Sequence, residues 1–360
     1  MGVYGVAAII AIMNVVVCFE KRLNKKSRYI LIYLYLISYA LLFMARDFSF
    51  PDTEAYYHVF TNLNPSNIYF EKFNVYLMQI VKILFGENFR VYLLVCVILN
   101  EILILYSMHR LCGMLAKEQE MVWNIAISAL TMYFSYFGFI YNGAIIRQGI
   151  AMSFVVLAIT FILEKRYIPA ILFMFVAYQF HTVALVGLVI IGIIFFNRFS
   201  KKMYYAWWIG IFLCWFLNGS YYFLSIFKEI VLWLARIIPN FNRVAYYIVY
   251  SLVVRSNGRN SYKDILFMLL GLFVIVYMEE SKVYKHLLTI YLVGITLMIA
   301  LNSLVVSYRL YDVFLIFGIP LMLRSIERIP LKTDMQKKVC LLGLNLVMVI
   351  IGARFLNQFN

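Results

Sequence analysis

Asp52, Arg147, His181 and Arg309 stand at the edges of long apolar runs, where an ionisable side chain is costly and marks a functional candidate. Two arginines with a carboxylate suit one kind of chemistry: departure of a phosphate-type leaving group and removal of a proton from an incoming hydroxyl. A guanidinium presents forked N–H donors that match phosphate oxygens. Arg147 opens an apolar helix, whose N-terminus adds its own partial positive charge. An aspartate within reach of a hydroxyl can act as general base.

Each of these residues also has a plainer reading. Asp52 follows Pro51 and is placed to cap an interfacial helix; it is either a solvated cap or a carboxylate at the lip of a cavity. Arg147 either snorkels to lipid headgroups or binds phosphate. His181 is either a satisfied structural imidazole or a proton shuttle and hydrogen-bond donor. Arg309, flanked by Tyr308 and Tyr311, either pairs with Asp312 on one helix face or forms a second diphosphate clamp. Around them lie further substrate-binding candidates. Arg46, Asp47 and Glu71 share a loop with Asp52, and Asn142 and Gln148 sit close enough to Arg147 to offer neutral hydrogen bonds to a sugar. Arg255, Arg259 and Lys263 make a looser basic set.

The elements that position these residues follow from composition. The chain is 64% hydrophobic and 14% charged, against roughly 45–50% and 25% in ordinary soluble domains. Too little polar surface remains to face water on all sides. Apolar runs recur along nearly the whole length, as in bilayer-spanning helices. In lipid the backbone must bond within its own segment, so the expected fold is all-α, a polytopic transmembrane helix bundle forming a single domain over residues 1–360. The alternation of a membrane β-barrel is missing.

The net charge of +15 comes from 32 basic and 17 acidic residues. Basic residues collect in cytoplasmic loops of membrane proteins, and no basic stripe or recognition motif accompanies them, so nucleic acid is not an expected partner. Cys18, Cys96, Cys112, Cys214 and Cys340 are scattered in or beside apolar segments without metal-ligand spacing. No carboxylate cluster has metal spacing either, so neither a metal nor a cofactor is expected. The first apolar stretch lacks a preceding basic region, which argues against a cleavable signal peptide.

Charge also orients the chain. Lys21, Arg22, Lys25, Lys26 and Arg28 follow a first span at 2–19 and mark a cytoplasmic loop. The span 29–45 then delivers 46–89 outside as the first outer loop. Segment 73–85 would cover only about 20 Å of a roughly 30 Å hydrocarbon core, so it is predicted to be an amphipathic helix at the outer interface. Further passes fall at 90–109, 121–140, 147–163, 168–180, 183–197, 204–219, 264–278, 287–307, 309–323 and 339–355, with 220–263 a long outer loop carrying interfacial or re-entrant helices. This makes about twelve spans, within a range of about 10–13. Glu164–Tyr167 falls on the cytoplasmic side, so Arg147 and His181 return to one outer face, where Asp52 and Arg309 join them. The break near His181 suits a cavity lining.

With those positions in view, the pattern IRQGIAMSF…EKRY…A…FHTVALVGL, preceded by RD…PDTEAYY…E and followed by a late YRLY, resembles the EpsG family of Wzy-type polysaccharide polymerases. The likeness is strongest over 46–76 and 141–190. It implies a bacterial inner-membrane enzyme whose site faces the periplasm or outside, with a layout like that of polyprenol-dependent (GT-C) glycosyltransferases. Its substrates would be undecaprenyl-diphosphate-linked donor and acceptor glycans, joined into O-antigen, capsule or exopolysaccharide. Its partners would be membrane lipids and a chain-length regulator protein. Asp52, Arg147, His181 and Arg309 match the positions carried over, whereas the loop arginines of better-known Wzy patterns are not reproduced. The alternatives are a flippase, which needs cations deep in a cavity open to both sides, and an O-antigen ligase or another transferase using the same carrier.

Overall fold

The computed structural model describes residues 2–18, 25–63, 70–116, 119–196, 199–237, 246, 249, 262–302 and 307–357. Every regular element among the described residues is helical. In chain order these are α1 Val3–Cys18, α2 Lys25–Met44, α3 Thr53–Thr61, α4 Lys72–Phe85, α5 Phe89–Leu115, α6 Gln119–Ser135, α7 Phe137–Gly143, α8 Ile146–Leu163, α9 Tyr167–Phe180, a single 3-10 turn Thr182–Leu185, α10 Val186–Phe196, α11 Lys201–Phe216 and α12 Gly219–Ile237. They continue as α13 Tyr262–Val276, α14 Lys282–Ala300, α15 Tyr308–Ile316, α16 Gly318–Arg328 and α17 Asp334–Asn357.

Four of these helices, α5, α8, α14 and α17, are long and apolar enough to cross a membrane, and the bent pair α11–α12 makes a fifth if it counts as one span. That is fewer than the twelve passes suggested by the apolar runs. Some runs break, with 121–140 divided between α6 and α7 and 309–323 between α15 and α16. Others, in α1, α2, α9 and α10, form apolar helices of 10–17 residues. The chain is a membrane protein on composition and helix length alike.

The helix expected at 73–85 is α4. Its buried side holds Asn74, Val75, Met78 and Val81, while Tyr76, Ile80, Ile83 and Leu84 are exposed. An apolar outer face of this kind suits lipid rather than water.

The chain divides into two compact units, Met1–Ile191 with Ile326–Asn360, and Gly192–Ser325. The core of the first unit is α8, buried from Gln148 to Ile162 and packed against α5 and α9. A tight turn joins α8 to α9, with Lys165 in the left-handed region at φ 61°. Pro169 lies in the first turn of α9, where the missing N–H leaves no helical bond unmade. Close packing of α8 against α7 and α5 depends on Gly149: a Cβ there would lie 2.6 Å from the Tyr141 Cβ and 3.1 Å from the Asn100 amide nitrogen. At the far end of α8, Arg110 from α5 pairs with Glu164, donates to Thr160 Oγ1 at 3.1 Å, and lies 3.9 Å over the Phe161 ring.

The second unit has its own polar ties. Tyr284 donates to the Val274 carbonyl at 2.7 Å, Tyr204 and Thr289 hydroxyls lie 2.8 Å apart, and Arg324 meets Glu279 at 2.8 Å. Ser281 caps α14 by accepting from the Tyr284 N–H.

Candidate functional site

Because α9 returns alongside α8, the first residues of α8 and the last of α9 lie at one end of the pair. Arg147 stands at that end of α8, and His181 occupies the break after α9. Both reach the same carboxylate. Arg147 Nη1 donates to Glu71 Oε2 in an ion pair, and His181 Nε2 lies 4.0 Å from Glu71 Oε1. The three side chains are 15–20% exposed, so the cluster is shielded without being sealed.

Two aromatic residues hold the guanidinium. The Phe70 ring lies 3.8 Å from Arg147 Cζ, close enough for a cation–π contact. The Tyr56 hydroxyl accepts from both the backbone N–H and Nε–H of Arg147 at 3.4 Å. Burial pushes the Tyr56 hydroxyl above its usual pKa, partly offset by Arg147, so it stays protonated and keeps its own hydrogen to donate. Among 29 tyrosines and 31 phenylalanines the local signals were Tyr56, within the PDTEAYY stretch of the first outer loop, and Phe70 beside Glu71.

The backbone fixes the histidine's tautomer. His181 Nδ1 accepts from the Val183 N–H at 3.1 Å as the cap of the 3-10 turn. A neutral imidazole with an accepting Nδ1 carries its proton on Nε2, the atom facing Glu71. His181 is therefore arranged to donate rather than to accept a proton.

Asp52 does occupy the N-cap position of α3, but its side chain makes no capping bond and its backbone is left-handed, at φ 60°. It is exposed, and its charge is felt at both Arg46 and Tyr56. Asp47 is also exposed and accepts from the Ser49 N–H at 3.0 Å and from its hydroxyl. The Ser49 hydroxyl in particular holds the Asp47 carboxyl below its ordinary pKa.

Arg46 is only 5% exposed and anchors α2 to the end of α7 by donating to the Asn142 carbonyl and, at 3.1 Å, to that of Gly143. Burial lowers its pKa to about 10, so it remains charged at neutral pH.

The two amides expected to meet a sugar lie elsewhere: Asn142 and Gln148 are each 1% exposed. Asn142 Oδ1 accepts from Asn100 Nδ2 at 3.1 Å, and Asn100 Oδ1 accepts from Tyr133 and Ser153, both at 3.0 Å. This buried network supports the turn that aims Arg147. Periodicity does not reveal it, because α7 is too short and too completely buried to show a polar face. Glu101, in the middle of α5, is likewise buried at 4% exposure; an acid inside an apolar run was the sequence signal for it.

In the second unit, Arg309 lies beside Tyr308, its Nε 3.4 Å from the hydroxyl. The structure pairs Asp312 with Lys263 at 3.1 Å, in place of the anticipated Arg309 partnership, and Lys263 also reaches the Tyr311 hydroxyl at 3.3 Å. The partner comes from another helix, where the sequence spacing offered one on the same helix. Lys263 is 4% and Tyr311 6% exposed, so this contact is buried within the unit. Arg255 and Arg259 lie outside the described residues. Among the described residues no group of three or more His, Cys, Asp or Glu is arranged to hold a metal.

A forked cation seated on aromatic rings, an imidazole donor and nearby carboxylates can bind an anion with several oxygens and manage one proton. No curated protein and no solved structure matches the chain. A family model does match, over residues 31–359, and by it the chain belongs to the EpsG family, a family of Wzy-type polysaccharide polymerases and related membrane proteins.

Proposed function

We propose that this protein joins undecaprenyl-diphosphate-linked oligosaccharide repeat units into O-antigen, capsule or exopolysaccharide at the outer leaflet of the bacterial inner membrane. The observation that carries the reading is the meeting of Arg147, His181 and Glu71 at one end of α8. The opposite end carries Arg110, Lys165 and Arg166, and basic residues favour the cytoplasmic side. The cluster then faces outward, where lipid-linked repeat units are joined.

The growing chain, linked at its reducing end to the lipid diphosphate, is the donor. A hydroxyl of the next lipid-linked unit is the acceptor. The bond from the anomeric carbon to the diphosphate oxygen breaks, a bond to the acceptor oxygen forms, and the acceptor's proton moves to a carboxylate. Charge develops on the departing diphosphate, where preorganised donors have most effect. Arg147 supplies them, exchanging Glu71 for phosphate oxygens, and His181 adds its Nε2–H. The imidazole's tautomer assigns proton removal to a carboxylate, Asp52.

The test is polymerisation by the purified full-length protein in proteoliposomes with lipid-linked repeat units. Arg147→Ala should abolish chain growth; growth at the wild-type rate would end this mechanism. In a deletion strain, single repeat units should accumulate on the outer leaflet. Accumulation on the inner leaflet would indicate a flippase.

A further inference from the structure

Helix α3 separates two compartments of the first unit. Its Tyr56 side faces Arg147, while Thr53 and Tyr57, one helical turn apart, face a cavity of about 640 Å³. The end of α2 and the α4–α5 junction close the cavity, with Arg46, Asp47, Phe85 and Arg90 among its lining. Its volume lies within the usual range for small-molecule sites, about 300–1,000 Å³. None of the chemistry assigned above uses it.

Three features describe what would fill this space. First, the lining includes buried polar groups without partners. Arg46, 5% exposed, has no hydrogen-bond partner for Nε or Nη2 among the described residues, and Thr53, 2% exposed, has none for Oγ1. These atoms make no solvent contact themselves, so a ligand reaches them only as the two side chains turn into the cavity, a turn that their unmet hydrogen bonds favour. Second, the wall is aromatic. Tyr57 is held edge-on between Phe48 and Phe89, at 5.6 and 5.4 Å between ring centres, and is itself 38% exposed, as Phe85 is 56%. Third, the lining charges balance, with Arg46 and Arg90 against Asp47 and Glu87. A balanced rim disfavours a strongly anionic ligand, and ring faces with unmet donors suit one that has apolar C–H faces and many hydroxyls.

We propose that this cavity is a saccharide subsite, holding a sugar of the lipid-linked substrate beside the Arg147 cluster. The assignment rests on the polymerase reading and adds to it a place for the glycan. Arg46 links the two compartments, since it lines the cavity and holds the carbonyls of Asn142 and Gly143 just before α8.

The experiment uses the full-length protein in nanodiscs of phosphatidylcholine and phosphatidylglycerol. The probe is oligosaccharide released by mild acid from the lipid-linked pool of the producing cells, detected by saturation-transfer NMR. Tyr57→Ala and Arg90→Ala alter exposed side chains and should fold; each should cut the transfer about tenfold, and Phe85→Ala provides a third variant. In the polymerisation assay the same changes should raise KM about tenfold with kcat within about twofold, because they remove binding remote from the reacting bond. Unchanged transfer and unchanged KM would overturn the subsite. So would displacement of the probe by glycerophosphoethanolamine, which would make the cavity a lipid-headgroup site. Failure of the polymerase reading is separate: it would appear as no chain growth by the wild-type protein and as single repeat units held on the inner leaflet of the deletion strain, whatever the cavity variants do to probe binding.

Discussion

Arg147 and Glu71 form an ion pair in which each side chain is 20% exposed, at the end of α8, a helix buried along almost its whole length. A carboxylate in that position holds the Nη1 arm of a guanidinium whose fork a diphosphate would otherwise take. The pair keeps the cation aimed and compensated until an anion with more oxygens replaces the carboxylate, so structural and catalytic roles meet in one residue and have to be separated by experiment.

Reversing the pair separates them. Glu71→Gln or Arg147→Ala alone should lower stability by about 1–3 kcal/mol, since each leaves a half-hidden charge without its counterpart. The double variant Glu71→Arg with Arg147→Glu should recover much of that loss in thermal unfolding and yet make no polymer. Recovery of polymerisation would mean that the pair acts only as a brace.

Arg147→Lys keeps the charge and removes the flat, forked donor. The Phe70 stack at 3.8 Å and the Nε–H bond to Tyr56 both require a guanidinium. Activity should fall by roughly 10²-fold, in the range seen when a donor to developing charge is lost. Steady-state polymerisation rates would measure this, and near wild-type rates in the lysine variant would show that charge alone suffices.

Asp52 permits a clean separation of backbone from charge. Its φ of 60° is one that asparagine also tolerates. Asp52→Asn should therefore leave stability nearly unchanged while removing the proton acceptor, and Asp52→Ala should add a penalty of about 1 kcal/mol from the left-handed backbone. Equal stability with lost activity in the asparagine variant supports its role as base; full activity in that variant moves proton removal elsewhere.

What could be read without coordinates was mostly one-dimensional. Arg147 and His181 reach the same end because two apolar runs of helical length are joined by a short turn, and run lengths are visible in the chain. Glu71 as their shared partner was not visible, since it belongs to a segment outside that hairpin. Asp312 illustrates the same limit: spacing suggested a partner on its own helix, but the helix packing brought in Lys263. Asn142 and Gln148 lie close to Arg147 in sequence and are still buried in the core, Asn142 because it belongs to α7 beyond the break and Gln148 because adjacent residues of one helix do not share a face.

The first outer loop makes a prediction about pH. Asp47 is held below the ordinary aspartate value of about 3.9, chiefly by the Ser49 hydroxyl. A depressed folded-state pKa means that this contribution to stability is complete above the unfolded value and is lost as pH falls through the lower, folded one. Loop stability should thus be flat near neutrality and fall only in acid. Ser49→Ala should bring the Asp47 titration, followed by carboxyl NMR, back up toward the ordinary value; an unchanged titration would rule out the serine as its cause.

The buried amide of Asn100 is the support most remote from the chemistry. It joins Asn142, Tyr133 and Ser153, and Asn142 in turn offers its carbonyl to Arg46. Asn100→Ala would strand several buried polar atoms at about 1–3 kcal/mol each, softening the α7–α8 turn that presents Arg147. Thermal unfolding should shift downward by several degrees, and kcat should fall more than KM rises, because the reacting geometry loosens while substrate contacts remain. Asn100→Asp keeps the acceptor toward Tyr133 and Ser153 but loses the donor to Asn142. It should retain part of the stability and little of the rate, and equal recovery of both would show that the network acts on folding alone.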